Sequence, residues 1–115
     1  MKRSSEKILI GCLYKCQADI DNPENVSVVL KNAAQIMQVK PVKECYYKYQ
    51  PCGLTYVMII KESVIMFSSY PETRSGIIYL SSCRLDSDLK KALEYIGKEL
   101  KSEEIKIFFD STVML

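Results

Sequence analysis

Apolar residues recur along this chain with two different periods, and the changes between them predict its elements. Residues 7–14 are an apolar run of strand length. Asp21-Asn22-Pro23-Glu24 then carries the signals of a helix start: a capping side chain, a proline suited to the first turn and an early acid. Val26, Val29, Leu30, Ala33 and Met37 follow at helical spacing, one apolar stripe that ends near Val39, before Pro41. Between residues 42 and 82 Tyr, Val, Ile and Phe dominate, broken at Pro51-Cys52-Gly53, at Lys61-Glu62-Ser63 and from Pro71 to Gly76. That pattern predicts four strands, at about 42–49, 54–60, 64–70 and 76–82. Asp86-Ser87-Asp88 caps a second helix with Leu89, Ala92, Leu93, Ile96 and Leu100 as its buried stripe, and residues 104–110 make a last short strand.

The order β-α-β-β-β-β-α-β predicts an α+β fold in a single domain over residues 1–115. It is a two-layer sandwich, a mostly antiparallel sheet with both helices on one face. Tyr46, Tyr49, Tyr56, Phe67, Tyr70 and Tyr79 give the other face an aromatic load. A second copy is expected to cover it, as a homodimer or, less favoured, a trimer.

Composition narrows the function classes. A net charge of +2, from 16 Lys and Arg against 14 Asp and Glu, gives no reason to expect a nucleic-acid partner. Lys2, Arg3 and Lys7 cluster with Glu6 and read as a solvated tail. No apolar stretch reaches the ~20 residues of a membrane span, and no small-residue cleavage site follows the first apolar run. The expectation is a cytoplasmic protein. Cys12, Cys16, Cys45, Cys52 and Cys83 form no C-x-x-C pair, and with 0 histidines they build no zinc site. On a strand Cys12 and Cys16 would share one face; the first four cysteines are expected to be free thiols.

One stretch carries a resemblance. Lys48-Tyr49-Gln50-Pro51-Cys52-Gly53-Leu54-Thr55 is similar to the K-F-x-P-x-G-x-[ST] segment of the short prokaryotic S-adenosylmethionine decarboxylases. It runs without a gap through Val57-Met58-Ile59-Ile60-Lys61-Glu62-Ser63, which resembles that family's strand ending in E-S-H. Tyr70-Pro71-Glu72 matches its aromatic-Pro-Glu, Cys83 its strand-end cysteine, and Leu13-Tyr14-x-Cys16 its early L-Y-G-C element. Members are made as proenzymes: a serine cuts the chain on its own amino side and becomes a pyruvoyl group, the electron sink for decarboxylation. The resemblance implies that Ser63 is that serine and that Cys83 protonates the product. It also implies that Tyr49 and Tyr70 stack on adenine, with Thr55 beside them, and that Glu72 accepts bonds from the ribose hydroxyls. Flat aromatics suit both an adenine and a sulfonium cation, and a carboxylate suits two vicinal hydroxyls.

The departure from the family is the missing histidine. Ile8, Tyr47, Val64 and Ser68 stand at four family histidine positions; the position after the cleaved serine holds Val64, and that of the processing base holds Ser68. Removing the serine α-proton needs a base, and a positioned one is worth typically 10²- to 10⁴-fold. These residues lead to the expectation of no self-processing, no pyruvoyl group at Ser63, no other cofactor and no metal. The first reading is a lyase that cleaves S-adenosylmethionine, or a nucleotide-conjugated form of it, to methylthioadenosine. Glu72 and Tyr49 would then be catalytic, with Arg74 as a cation near the ribose and Lys48 and Lys61 nearby. The alternative is a non-catalytic partner that binds the ligand or pairs with an active paralogue. The third is a divergent pyruvoyl-dependent decarboxylase using Ser63 and Cys83.

Overall fold

The computed structural model describes residues 4–115. Lys2 and Arg3, read from sequence as part of a solvated tail, lie outside the described residues. The elements are β1 (Ser5–Tyr14), α1 (Pro23–Ile36), β2 (Pro41–Lys48), β3 (Leu54–Ile60), β4 (Ser63–Tyr70), β5 (Ser75–Ser82), α2 (Leu89–Glu99) and β6 (Glu104–Met114), with one 3-10 turn at Pro71–Thr73. The strands form one sheet in the order β2-β3-β4-β5-β1-β6, every neighbouring pair antiparallel. Both helices lie on one face, the two-layer α+β sandwich expected from the sequence. No helix among the described residues is long and apolar enough to cross a membrane.

Local chemistry explains each helix boundary. The side chain of Asn22, not Asp21, caps α1, accepting from the N–H groups of Glu24 (2.9 Å) and Asn25 (3.3 Å) ahead of Pro23. The helix stops at Ile36, short of Val39, because Gln38 turns into the left-handed region at φ 62°. The N–H of Val39 then reaches back to Ala34 O and that of Gln38 to Gln35 O, a Schellman closure. The second helix ends the same way: Lys101 has φ 54°, and Ser102 N–H donates to Gly97 O at 2.8 Å. Asp88 caps its start through Lys91 N–H.

Leu54, Tyr56, Met58 and Ile60 on β3, Ile65 and Phe67 on β4, Ile78 and Leu80 on β5, and Leu9 and Leu13 on β1 fill the core beneath Leu30, Ala33 and Leu93 of the helices. Gly76 is required in this layer, since a Cβ there would sit 2.5 Å from the Phe67 ring.

Four expectations change. Tyr56 and Phe67 were placed on the open sheet face, yet they are 4% and 0% exposed under the helices. A strand's period of two assigns them there with Leu54 and Ile65. β6 extends to Met114, beyond residue 110, because it pairs with β1 as far as Ser5↔Met114, past a bulge between Ile10 and Gly11. Cys16 does not share a strand face with Cys12: β1 ends at Tyr14, Lys15 turns at φ 54°, and Cys16 is buried in the core. Lys7 belongs to β1 rather than a loose tail, and its ammonium donates to Leu85 O (3.0 Å) and Ser87 O (2.8 Å). All five cysteines are free.

Tyr56 hydroxyl donates to Glu44 Oε1 at 2.5 Å, and burial together with this carboxylate pushes the phenol up to about 12. An unfolded chain ionises the same phenol near 10. Between those values the unfolded state binds fewer protons, so stability must fall as pH rises. Urea unfolding across that range should show the decline, and Tyr56→Phe should flatten it at a cost of about 1 kcal/mol at neutral pH. An unchanged slope in the variant would show that the phenol does not control the alkaline limb.

Candidate active site

The residues singled out by sequence fall into two groups at opposite ends of β4. The first surrounds the turn between β2 and β3 and the end of β4. A cavity of about 260 Å³ there is lined by Tyr49, Cys52, Thr55, Ser68, Tyr70 and Glu72, together with Gly53, Leu54 and Ser69. The turn is closed by Tyr49 N–H donating to Gly53 O at 2.9 Å, with Gly53 at φ 112°, where a side chain would be strained. Tyr49 and Thr55 hydroxyls are 3.2 Å apart, and the Tyr49 ring meets the edge of Tyr47 at 4.9 Å. The Cys52 thiol donates to Glu72 Oε2 at 3.3 Å; this bond, with burial, pushes the thiol up and leaves it a neutral donor.

Arg74 does not line this cavity. It caps the 3-10 turn with φ 52°, and its guanidinium donates to Gln17 Oε1 at 3.1 Å. Lys48 is drawn to Asp21, and Lys61 lies at the far end of the sheet. None of the three expected cations therefore lines the cavity that holds Glu72. A wider depression, about 840 Å³, lies elsewhere, between the start of α1 and the Tyr46–Tyr56 stack, and holds none of the motif's aromatic or ribose-side residues.

The second group sits at the turn from β3 into β4. Cys83 Sγ lies 3.3 Å from Glu62 Oε2, beside a cavity of about 380 Å³ lined by Gln38, Val39, Lys40, Lys61, Glu62, Cys83 and Arg84. Burial, then the bond to Glu62 and its charge, push the Cys83 thiol up, so it is protonated at neutral pH. Glu62 has φ 68°, a conformation that costs a non-glycine residue about 1–3 kcal/mol. Among the described residues, the one buried side-chain oxygen left without a hydrogen-bond partner is Ser63 Oγ. The next residue is held on both sides: Ser81 Oγ accepts from Val64 N–H at 3.0 Å and donates to Val64 O at 2.7 Å.

The two groups are far apart within one chain. Seven residue steps from Ser63 to Tyr70 at ~3.3 Å each separate them by about 23 Å. Strand alternation puts Ile8, Tyr47, Val64 and Ser68 on the open face of the sheet, and Tyr47, Thr55 and Ser68 face one another in a single cross-strand row. Among the described residues no three potential ligands converge on a metal position. Sequence reasoning missed Asp21 as more than a helix-start residue, and it missed Ser81; neither carries a motif, and each is visible only through its cross-strand partners.

Fold and site together define a two-layer α+β domain that presents a serine–cysteine turn and an aromatic-lined, carboxylate-bearing pocket at the two ends of one strand. The family model for S-adenosylmethionine decarboxylase matches residues 7–110, and the chain belongs to that family. It is 29% identical over 106 residues to an S-adenosylmethionine decarboxylase proenzyme of Thermosipho africanus, covering 91% of this chain and 82% of the relative. It is also 29% identical over 108 residues to one of Clostridium botulinum, covering 93% and 92%. The crystal structure of the adenosylmethionine decarboxylase of Aquifex aeolicus superposes with a TM-score of 0.78 at 26% identity, covering 97% of this chain and 90% of that one.

These relatives correct two expectations. A lyase that does not self-process conflicts with relatives that span nine-tenths of the chain and are named decarboxylase proenzymes. The expectation of no cofactor conflicts with the self-derived pyruvoyl group of that family. Both expectations gave the missing histidines too much weight. Losing one base slows a proton transfer; it leaves the serine turn and the pocket in place.

If the cavity at Tyr49, Tyr70 and Glu72 takes an adenosyl group, methylthioadenosine at 100 times its Kd should add about 2.7 kcal/mol to stability, seen as a rise in Tm. Tyr70→Ala should weaken that binding by about 1–3 kcal/mol, the range for base–aromatic stacking. A flat melting profile at millimolar ligand would exclude the assignment.

Proposed function

We propose that this protein is a pyruvoyl-dependent S-adenosylmethionine decarboxylase, made as a proenzyme that cuts itself between Glu62 and Ser63. The observation that carries the reading is the buried, unpartnered Ser63 hydroxyl on the carboxyl side of a strained Glu62. An unsatisfied buried hydroxyl costs about 1–3 kcal/mol, and so does the left-handed glutamate. Both penalties fall on the bond to be broken. Attack of Ser63 Oγ on the Glu62 carbonyl carbon breaks the peptide C–N bond, forms an ester and frees the amine. Loss of the Ser63 α-proton then expels the Glu62 carboxylate, and hydration of the resulting alkene releases ammonia.

A pyruvoyl group at position 63 fits the residues around it and would supply an electron sink for decarboxylating an α-amino acid. The remaining roles belong to ordinary side chains. Cys83, kept protonated, is placed to return a proton to the product carbon. Glu62, 3.3 Å away, is the acceptor through which that thiol exchanges its proton. At the other end Tyr49 and Tyr70 flank the adenine, Thr55 holds the Tyr49 hydroxyl, and Glu72 accepts from the ribose.

About 23 Å separates the two ends, more than one adenosyl–amino acid ligand spans. The reading therefore includes a homodimer in which the pocket of one chain faces the Ser63 turn of the other. Support comes from the open sheet face, where the apolar side chains of Ile59, Met66 and Ile77 are 44%, 37% and 39% exposed. Such a patch is a packing surface for a second sheet.

Intact-mass measurement should show the 13.2 kDa chain converting to two fragments split before Ser63, with carbon dioxide released from S-adenosylmethionine and both events absent in Ser63→Ala. Without histidine at positions 64 and 68, conversion should take place slowly, by up to the 10²- to 10⁴-fold that a positioned base supplies. Ser63→Ala and Glu72→Gln chains, each inactive alone, should regain activity when mixed and refolded together. A chain that stays whole and binds ligand without releasing carbon dioxide would overturn the decarboxylase reading; failure of the mixed chains alone would overturn the shared site.

A further inference from the structure

Asp21 lies in the connection from β1 to α1, yet its carboxylate gathers donors from three separate segments around the adenosyl cavity. Oδ1 accepts from Gly53 N–H, in the β2–β3 turn, at 3.0 Å and from Ser69 Oγ, on β4, at 3.1 Å. Oδ2 pairs with Lys48 Nζ at the end of β2. The side chain is 18% exposed, and its own N–H is turned back to Asp19 Oδ1 at 2.9 Å, which fixes its direction. Two of the three donors, Gly53 and Ser69, are themselves wall residues of the cavity.

We infer that Asp21 is a positioning residue for adenosyl binding: it holds the β2–β3 turn against the end of β4, and so sets where Tyr49, Cys52 and Glu72 stand relative to Tyr70. The inference rests on the adenosyl reading of that cavity. Gly53 is the hinge of the argument. Its φ of 112° is reached without strain only by glycine, so its backbone is free to move unless something holds it. Gly53 O already accepts from Tyr49 N–H, and Gly53 N–H is held by Asp21. Release of that N–H frees the turn that carries the Tyr49 ring and, one residue earlier, the Cys52 thiol bonded to Glu72. Lys48 balances the charge. Burial alone would raise the Asp21 carboxyl, but the bonds from Lys48, Gly53 and Ser69 outweigh it and keep the group below its ordinary value, ionised at neutral pH. A neutral side chain of the same shape cannot satisfy this arrangement, because Asp21→Asn would turn an N–H₂ donor toward the Lys48 ammonium.

The test uses the full chain. Methylthioadenosine binding should weaken at least tenfold in Asp21→Asn, and KM for S-adenosylmethionine should rise with kcat nearly unchanged. Cleavage before Ser63 should run at the wild-type rate, since that turn lies at the other end of β4. Asp21→Glu keeps the charge but displaces it by a methylene and should weaken binding likewise. In both variants the Gly53 amide should lose its protection from hydrogen exchange, a reading that needs no ligand. Wild-type affinity in Asp21→Asn, or a protected Gly53 amide, would overturn this inference while leaving the decarboxylase reading intact. Parallel loss of Tm, cleavage and binding would reduce Asp21 to a general stabilising residue and overturn it too. Absence of binding in the wild type would sink the adenosyl assignment and this role with it.

Discussion

An eight-residue strand is stiff, and β4 holds at its two ends the two groups of residues that the sequence singles out. Ser63 opens it and Tyr70 closes it, so the serine turn and the cavity at Tyr70 stay about 23 Å apart however the side chains move. The period of two along the same strand adds a second constraint. Ile65, Phe67 and Ser69 are turned under the helices, and Val64, Met66, Ser68 and Tyr70 are left on the open face. Ser68 and Tyr70, which line the cavity that holds Glu72, are thus displayed on the open face, whereas Ser63 falls in the helix-side set with Ile65. In the proposed homodimer a second sheet laid on that face supplies both the burial and the other half of the site.

The turns at the two ends are built in different ways, suited to different work. At the Ser63 end the backbone is held against its preference: Glu62 is left-handed, Ser63 Oγ is unpaired, and Ser81 grips Val64 through both its N–H and its carbonyl. At the pocket end almost every polar atom is satisfied, through Tyr49 to Thr55, Cys52 to Glu72 and the three bonds of Asp21. On the proposed reading, the bond to be broken is loaded and the binding surface is preorganised.

Much of this was legible from residues alone. The helical stripes of α1 and α2, the four-strand middle and the K-Y-Q-P-C-G-L-T segment lie where their patterns place them, because each is a local property of a few neighbouring positions. What could not be read is cross-strand. Tyr56 and Phe67 look like any other aromatics until register assigns them to the helix side. The length of β6 depends on β1, about a hundred residues earlier in the chain, and Asp21 reads as part of a helix-start signal until Gly53 and Ser69 are seen beside it. Arg74 looks close to Glu72 in sequence, but the left-handed cap of the 3-10 turn swings it to Gln17.

The absence of histidine bears on the rate of a proton transfer and not by itself on which reaction a site performs. A base contributes some orders of magnitude to one proton transfer. The geometry that leaves Ser63 Oγ unpaired, keeps Cys83 protonated and shapes the cavity at Tyr49, Tyr70 and Glu72 is carried by backbone torsions, hydrogen bonds and burial, none of which involves positions 64 or 68 as acids or bases. The side chains now at the family's histidine positions still sit on the open face, and Tyr47 and Ser68 flank Thr55 in one row. Their hydroxyls can pass hydrogen bonds along the row but cannot take up a proton near neutral pH as imidazole does. The substitutions remove imidazole from the open face and leave the Ser63 turn, the Cys83 thiol and the walls of the cavity at Tyr70 in place. On the proposed decarboxylase reading, the loss therefore falls on the rate of self-cleavage and not on the reaction that follows it.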